Sequence, residues 1–138
     1  MKTIFLLPIL LLSLISTPCL SETMDELVER DGIYYKKFTE TPFTGKITGI
    51  DSSYMYGIDS PKVKVEVQGR VENGKKEGKW VWYWKNGQLF KKGSYKNTLE
   101  EGEWVYYWDS GQLMSKGSYK NGKEEGEWVH YDYVLESD

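Results

Sequence analysis

The sequence predicts an all-β fold, a single-layer antiparallel β-meander built from hairpin repeats. Three observations predict it. The first is a period of 24 residues: Gly78, Gly102 and Gly126 keep it, as do Trp80, Trp104 and Trp128, and Tyr83, Tyr107 and Tyr131. The second is strand-forming composition inside each period, as in the Trp80–Trp84 run of Trp, Val and Tyr. The third is turn punctuation at two fixed places per period. A period of this size describes an array in which each unit buries its apolar face against its neighbours.

The chain opens with a segment outside the array. Lys2 is followed by an apolar run from Ile4 to Ile15, then by Pro18 and Cys19-Leu20-Ser21. This is the layout of a secretory signal peptide over 1–21, cleaved after Ser21, and the run is shorter than the ~20 residues that span a bilayer. Cys19 offers an alternative. In Ser16-Thr17-Pro18-Cys19 it sits where a bacterial lipoprotein carries its lipidated cysteine, and only that modification would tie the chain to a membrane. The expected location is therefore periplasmic or secreted, with a lipid anchor only through Cys19.

Residues 22–138 then form one domain. Without Cys19 it holds no cysteine, so large rings must replace disulfides in stabilising it. Lys2 is the only charge removed, which moves the formal net charge from −3 to −4. A mildly acidic, mixed surface argues against a nucleic-acid partner.

Within the period, Trp80 to Trp84 is one strand and Gln88 to Tyr95 the return strand. Lys85-Asn86-Gly87 and Asp109-Ser110-Gly111 read as three-residue loops closed by a left-handed glycine. That loop pairs Tyr83 with Leu89. It places Val81, Tyr83, Leu89, Gly93 and Tyr95 on one face, the face expected to pack. The other face then carries Trp82, Trp84 and Phe90, with Tyr106, Trp108 and Met114 in the next copy and His130 and Asp132 in the last. A one-residue slip exchanges the faces. Trp80 recurs although alternation puts it on the varying face, which suggests a bulge near Gly78. The second turn falls at Asn73-Gly74, Asn97-Thr98 and Asn121-Gly122.

Upstream, Leu27 to Arg30, Asp31-Gly32 and Ile33 to Lys36 predict a hairpin. Gly45-Lys46-Ile47 corresponds to Gly78-Lys79-Trp80, with extra residues forming a long loop around Asp51 to Pro61. Val63 to Glu72 alternates, with Val63, Val65, Val67, Gly69 and Val71 inward. The domain divides into a degenerate repeat 27–68, repeats 69–92 and 93–116, and a truncated repeat 117–138.

Pro42-Phe43-Thr44-Gly45-Lys46, followed by units of the form Trp-x-x-Tyr-x-x-x-Gly-Gln-Leu-x-x-x-Gly-x-Tyr-x-x-Gly-x-x-x-Gly-x-Trp, resembles the bacterial MORN-repeat-variant proteins, among them those labelled YwqK-like antitoxins. The resemblance implies a single-layer β-meander that binds proteins or membrane surfaces, and it raises an antitoxin role against a toxin.

No catalytic pattern is present in the residues. His130, near Asp132, is the only histidine, and the Glu100-Glu101 and Glu124-Glu125 pairs read as solvated turn charges. No enzyme, cofactor or metal site is expected. The expected function is a non-catalytic module that binds a protein partner through Trp82, Trp84, Phe90, Tyr106, Trp108 and Met114, provided these form an exposed patch. A cell-wall glycan is the alternative ligand, because aromatic hairpin repeats also resemble choline- and glucan-binding wall repeats.

Overall fold

The computed structural model of the protein describes residues 21–52 and 65–134. The expected signal peptide, the loop after Ser52 and the inward position of Val63 lie outside the described residues, the first of these except for Ser21. Among the described residues, nine strands follow one 3-10 turn, Met24–Glu26. Strands β1 (Leu27–Arg30) and β2 (Ile33–Lys36) form a two-stranded sheet of their own. The remaining seven are β3 (Gly45–Asp51), β4 (Val65–Glu72), β5 (Lys75–Tyr83), β6 (Leu89–Lys96), β7 (Leu99–Tyr107), β8 (Leu113–Lys120) and β9 (Lys123–His130). They form one antiparallel sheet in chain order.

The turns follow from residue chemistry. Asp31-Gly32, Asn73-Gly74 and Asn121-Gly122 all have positive φ, the conformation a two-residue type I′ hairpin requires. Asn97-Thr98 adopts the same conformation with φ of 52° and 69°. Thr98 returns two bonds: its N–H donates to the Lys76 carbonyl and its hydroxyl accepts from the Lys76 N–H. The other turn is the expected three-residue loop. The Gly87 N–H donates to the Trp84 carbonyl and the Trp84 N–H to the Gln88 carbonyl, with Gly87 at φ 84°. Gly111, Trp108 and Gln112 repeat this.

Tyr83 pairs with Leu89, as the loop length requires, but Trp82 pairs with Lys91. The residue between, Phe90, is a bulge, and Met114 is its counterpart in the next repeat. The bulge corrects the expected faces. Tyr83 and Leu89 do lie opposite Trp82, Trp84 and Phe90. Beyond the bulge the alternation restarts, so Gly93 and Tyr95 join the tryptophan face instead of the Val81 face. A second bulge stands at each Gly78, Gly102 and Gly126, where φ is 67–73° and the pairing with the preceding strand shifts. It accounts for the recurrence of Trp80.

The core lies on the tryptophan face, not on the Val81 face. Trp80, Trp82, Phe90, Tyr95 and Trp104 are buried there with Ile47, Val65, Val67 and Val71, and Leu27 and Tyr34 of the small hairpin belong to the same cluster. The outer edge of β3 is covered by Glu22, which takes the Lys46 carbonyl and the Thr48 N–H.

Candidate functional site

The tryptophan face is a ladder of rings built on glycines. A Cβ on Gly69 would lie 2.1 Å from the Trp80 ring, one on Gly93 2.2 Å from Trp104, and one on Gly117 2.3 Å from Trp128. Each repeating tryptophan therefore lies flat on the glycine of the preceding strand, a position that admits no side chain. The rings then meet in a repeating geometry. Trp80–Trp82 stack at 5.6 Å and 27°, Trp104–Tyr106 at 6.3 Å and 29°, and Trp128–His130 at 6.5 Å and 25°. Tyr95 meets Trp104 edge-on at 5.1 Å, and Tyr119 meets Trp128 edge-on at 5.1 Å. Such offset and edge contacts each contribute about 0.5–1.5 kcal/mol beyond area burial.

Two lysines lie among these rings. The Lys91 ammonium stands 4.2 Å from the centre of Trp82, 5.8 Å from Trp104 and 5.9 Å from Phe90. The Lys76 ammonium stands 5.2 Å from Trp80, 5.2 Å from Tyr95 and 5.4 Å from Tyr34. Burial pushes the Lys91 amine down to about 8, helped by the like charge of Lys76 and opposed by Glu100 and Asp51. Lys76 is lowered too, again by burial. Neither lysine stood out in the sequence. The available signal was that the Lys91 position holds Ser115 one repeat later, and the Lys76 position holds Glu100.

The six expected contact residues are brought to this one face, but not as an exposed patch. Trp82 and Phe90 are 3% and 1% exposed, so both are core residues and offer no surface. Trp82 packs among Trp80, Tyr95 and Trp104, and Phe90 belongs to the same buried cluster. Trp84, Tyr106, Trp108 and Met114 are half-buried. Trp84 packs on Phe90 at 4.1 Å, and its indole N–H donates to the Tyr107 carbonyl at 3.1 Å. The Trp108 indole nitrogen, one repeat later, is buried without a hydrogen-bond partner, and its ring meets Tyr133 edge-on at 5.8 Å. Tyr131, Tyr133 and Val134 beyond it are 42–64% exposed.

The glutamate pairs are on strands, not in turns. The Glu77 carboxylate accepts the Asn97 N–H at 2.8 Å and the Glu101 carboxylate accepts the Asn121 N–H at 3.0 Å, so each fastens the turn of the following hairpin. His130 is exposed on β9, stacked on Trp128. Among the described residues, no three His, Cys, Asp or Glu side chains converge. No described helix is long and apolar enough to cross a membrane. The opposite face is polar and shallow. One depression there, of about 300 Å3, runs between Lys79, Val81, Lys92 and Val105.

Residues 76–97 and 100–121 match the family described as MORN repeat variant. The two matches start one period apart and each spans a hairpin plus its bulge, so two adjacent repeats of the array are of this type. Repeats of this family are generally modules that bind proteins or membranes and are not themselves enzymes. No curated protein and no solved structure matches the chain.

Proposed function

We propose that the chain is a non-catalytic binding module, exported after cleavage at Ser21, that docks a protein partner at the C-terminal end of its ring-bearing face. One observation carries the reading. The scaffold residues of this face recur, whereas those beside them change from copy to copy. Trp82, Tyr106 and His130 occupy one such position. Trp84, Trp108 and Asp132 occupy another, and Phe90 and Met114 a third. Recurring residues stack the array; changing ones are free to be specific. Half-buried Trp108 meets exposed Tyr133, a juxtaposition suited to a partner's apolar anchors.

The test is capture of partners from envelope extract with the full chain against Trp108→Ala and Met114→Ala. Both variants should fold, as read by circular dichroism, and lose the captured protein. Retention of the same protein by both folded variants would exclude this end of the face as the docking site.

A further inference from the structure

We propose that the outer edge of β9 takes up a basic extended segment of the protein partner, which adds one strand to the seven-stranded sheet and seats its turn on Glu124 and Glu125. Among the described residues β9 pairs with β8 alone, and all of it except half-buried Trp128 is exposed. The Tyr131 N–H donates to the Met114 carbonyl of β8. Alternation then turns the backbone N–H and C=O of His130 and Trp128 away from β8. The opposite edge of the sheet is covered, since Glu22 takes the Lys46 carbonyl and the Thr48 N–H. An edge like that of β9 is completed by strand addition, in which main-chain bonds supply affinity and side chains specificity.

The array itself shows which strand such an edge accepts. β7 and β5 occupy the place of β9 one and two periods earlier, and each is followed by a strand in the same register. Trp80 pairs with Gly93 and Val81 with Lys92; Trp104 pairs with Gly117 and Val105 with Lys116. Both accepted strands carry Lys-Gly-Ser-Tyr-Lys-Asn, at 92–97 and 116–121. β9 repeats the accepting half as Gly126-Glu127-Trp128-Val129. A segment added in this register sets a glycine against Trp128 and a lysine against Val129.

The turn that ends each accepted strand is held as well. The Glu77 carboxylate accepts the Asn97 N–H at 2.8 Å, and the Lys76 carbonyl accepts the Thr98 N–H at 3.0 Å. One period on, the Glu101 carboxylate accepts the Asn121 N–H at 3.0 Å, and the Glu100 carbonyl accepts the Gly122 N–H at 3.0 Å. Glu124 and Glu125 stand at the same positions one further period on, where Glu125 meets Lys120 of its own hairpin at 3.7 Å. They are the receptor for the two N–H groups of an Asn-led turn.

Charge selects the occupant. β9 carries Glu124, Glu125 and Glu127 against Lys123, whereas β8, the strand accepted by β7, carries Lys116 and Lys120 and no acid. A second copy joined through the same edge would set two glutamate-rich strands side by side, where like charges repel. A lysine-bearing strand is complementary.

The inference rests on the docking reading only in giving the segment to the protein partner, and its test needs no partner. The probe is a fluorescein-labelled, amidated peptide with the sequence of residues 113–122, titrated with the full chain and read by anisotropy. It should bind saturably and slow amide exchange at Trp128 and His130. The same peptide with Lys116→Glu and Lys120→Glu, or with Gly117→Val, should bind about tenfold more weakly or not at all. In the chain, His130→Pro removes an outward N–H from an edge strand, a place where proline is tolerated, and should abolish binding. Glu125→Gln should weaken it severalfold.

An absence of saturable binding overturns the proposal, as does binding without slower exchange at Trp128 and His130. So does equal binding of the Lys→Glu peptide, or a folded His130→Pro chain that binds like wild type. Should His130→Pro not fold, unchanged affinity in Glu125→Gln overturns it alone. A chain that dimerises with Trp128 and His130 amides already protected overturns it in favour of a second copy. Partner capture lost in Trp108→Ala but kept in folded His130→Pro leaves the docking reading standing and ends this one. Capture kept in Trp108→Ala and Met114→Ala but lost in His130→Pro does the reverse.

Discussion

At the scale of single residues, glycine and lysine decide more than the tryptophans that surround them. Gly93 has no room for a methyl group beneath the Trp104 ring, so Gly93→Ala must displace that ring or its strand. We expect a loss of about 1–3 kcal/mol, read from the urea midpoint, with reduced near-ultraviolet dichroism. Gly93→Val should cost more than Ser94→Val, whose side chain stands on the polar face. Gly102→Ala meets nothing within 4 Å and should cost only its left-handed strain, about 1 kcal/mol. Equal losses at positions 93 and 102 would show that ring contact is not what excludes a side chain. Lys91 gives the fold a pH signature. Its folded amine titrates near 8 and its unfolded amine near 10.5, so between these values the unfolded chain holds the extra proton and stability rises with pH. Tyr34 acts oppositely above pH 10, since burial and its bond to Glu29 raise its hydroxyl and favour the folded state only while the proton stays on. Urea midpoints should therefore climb from pH 8 to about 10 and then fall, and Lys91→Met should reduce the climb, leaving the part that the lowered Lys76 amine contributes. A flat profile from 8 to 10 would refute the buried-charge account.

At the scale of the hairpin, each repeat is closed by its neighbour. The Glu77 and Glu101 carboxylates each hold the backbone of the next Asn-led turn, and the equivalent Glu125 lies at the end of the array, where it meets Lys120 at 3.7 Å. Charge-assisted bonds to backbone N–H are stronger than exposed ion pairs. Glu101→Ala should accordingly cost about 1 kcal/mol, whereas Glu125→Ala should leave the unfolding midpoint within about 0.5 kcal/mol of wild type. Comparable losses at both sites would mean that local strand charge, and not the bond between repeats, sets the effect.

At the scale of the whole molecule, the sheet is asymmetric. One end is covered by Glu22 along β3 and packs against the β1–β2 hairpin, while the other ends in β9, which is exposed along most of its length. Stability in a stacked array is a sum of units and interfaces, so a unit with one neighbour opens more readily than one with two. Native-state hydrogen exchange should show the greatest protection in β4 to β7 and an early-opening β9. Exchange of β9 amides only through global unfolding would contradict this. The same asymmetry puts the candidate binding end where the array is least constrained.

The 24-residue period, the hairpin turns and the order of the strands were legible in the sequence, because they rest on local chemistry: Asn-Gly pairs, left-handed glycines and runs of β-branched and aromatic residues. The loop of Lys85-Asn86-Gly87 even determined that Tyr83 faces Leu89. What tertiary structure alone decided was which residues share a face beyond the bulge. A bulge at Phe90 costs one residue of register, and turn chemistry does not encode it; it arises because Phe90 and Lys91 both turn toward the rings they pack on. That single slip moved Gly93 and Tyr95 onto the tryptophan face. It made Trp82 and Phe90 core residues, and it enclosed Lys91 among rings that belong to three different strands. Side chains that meet only through pairing across strands leave no mark in the spacing along one chain.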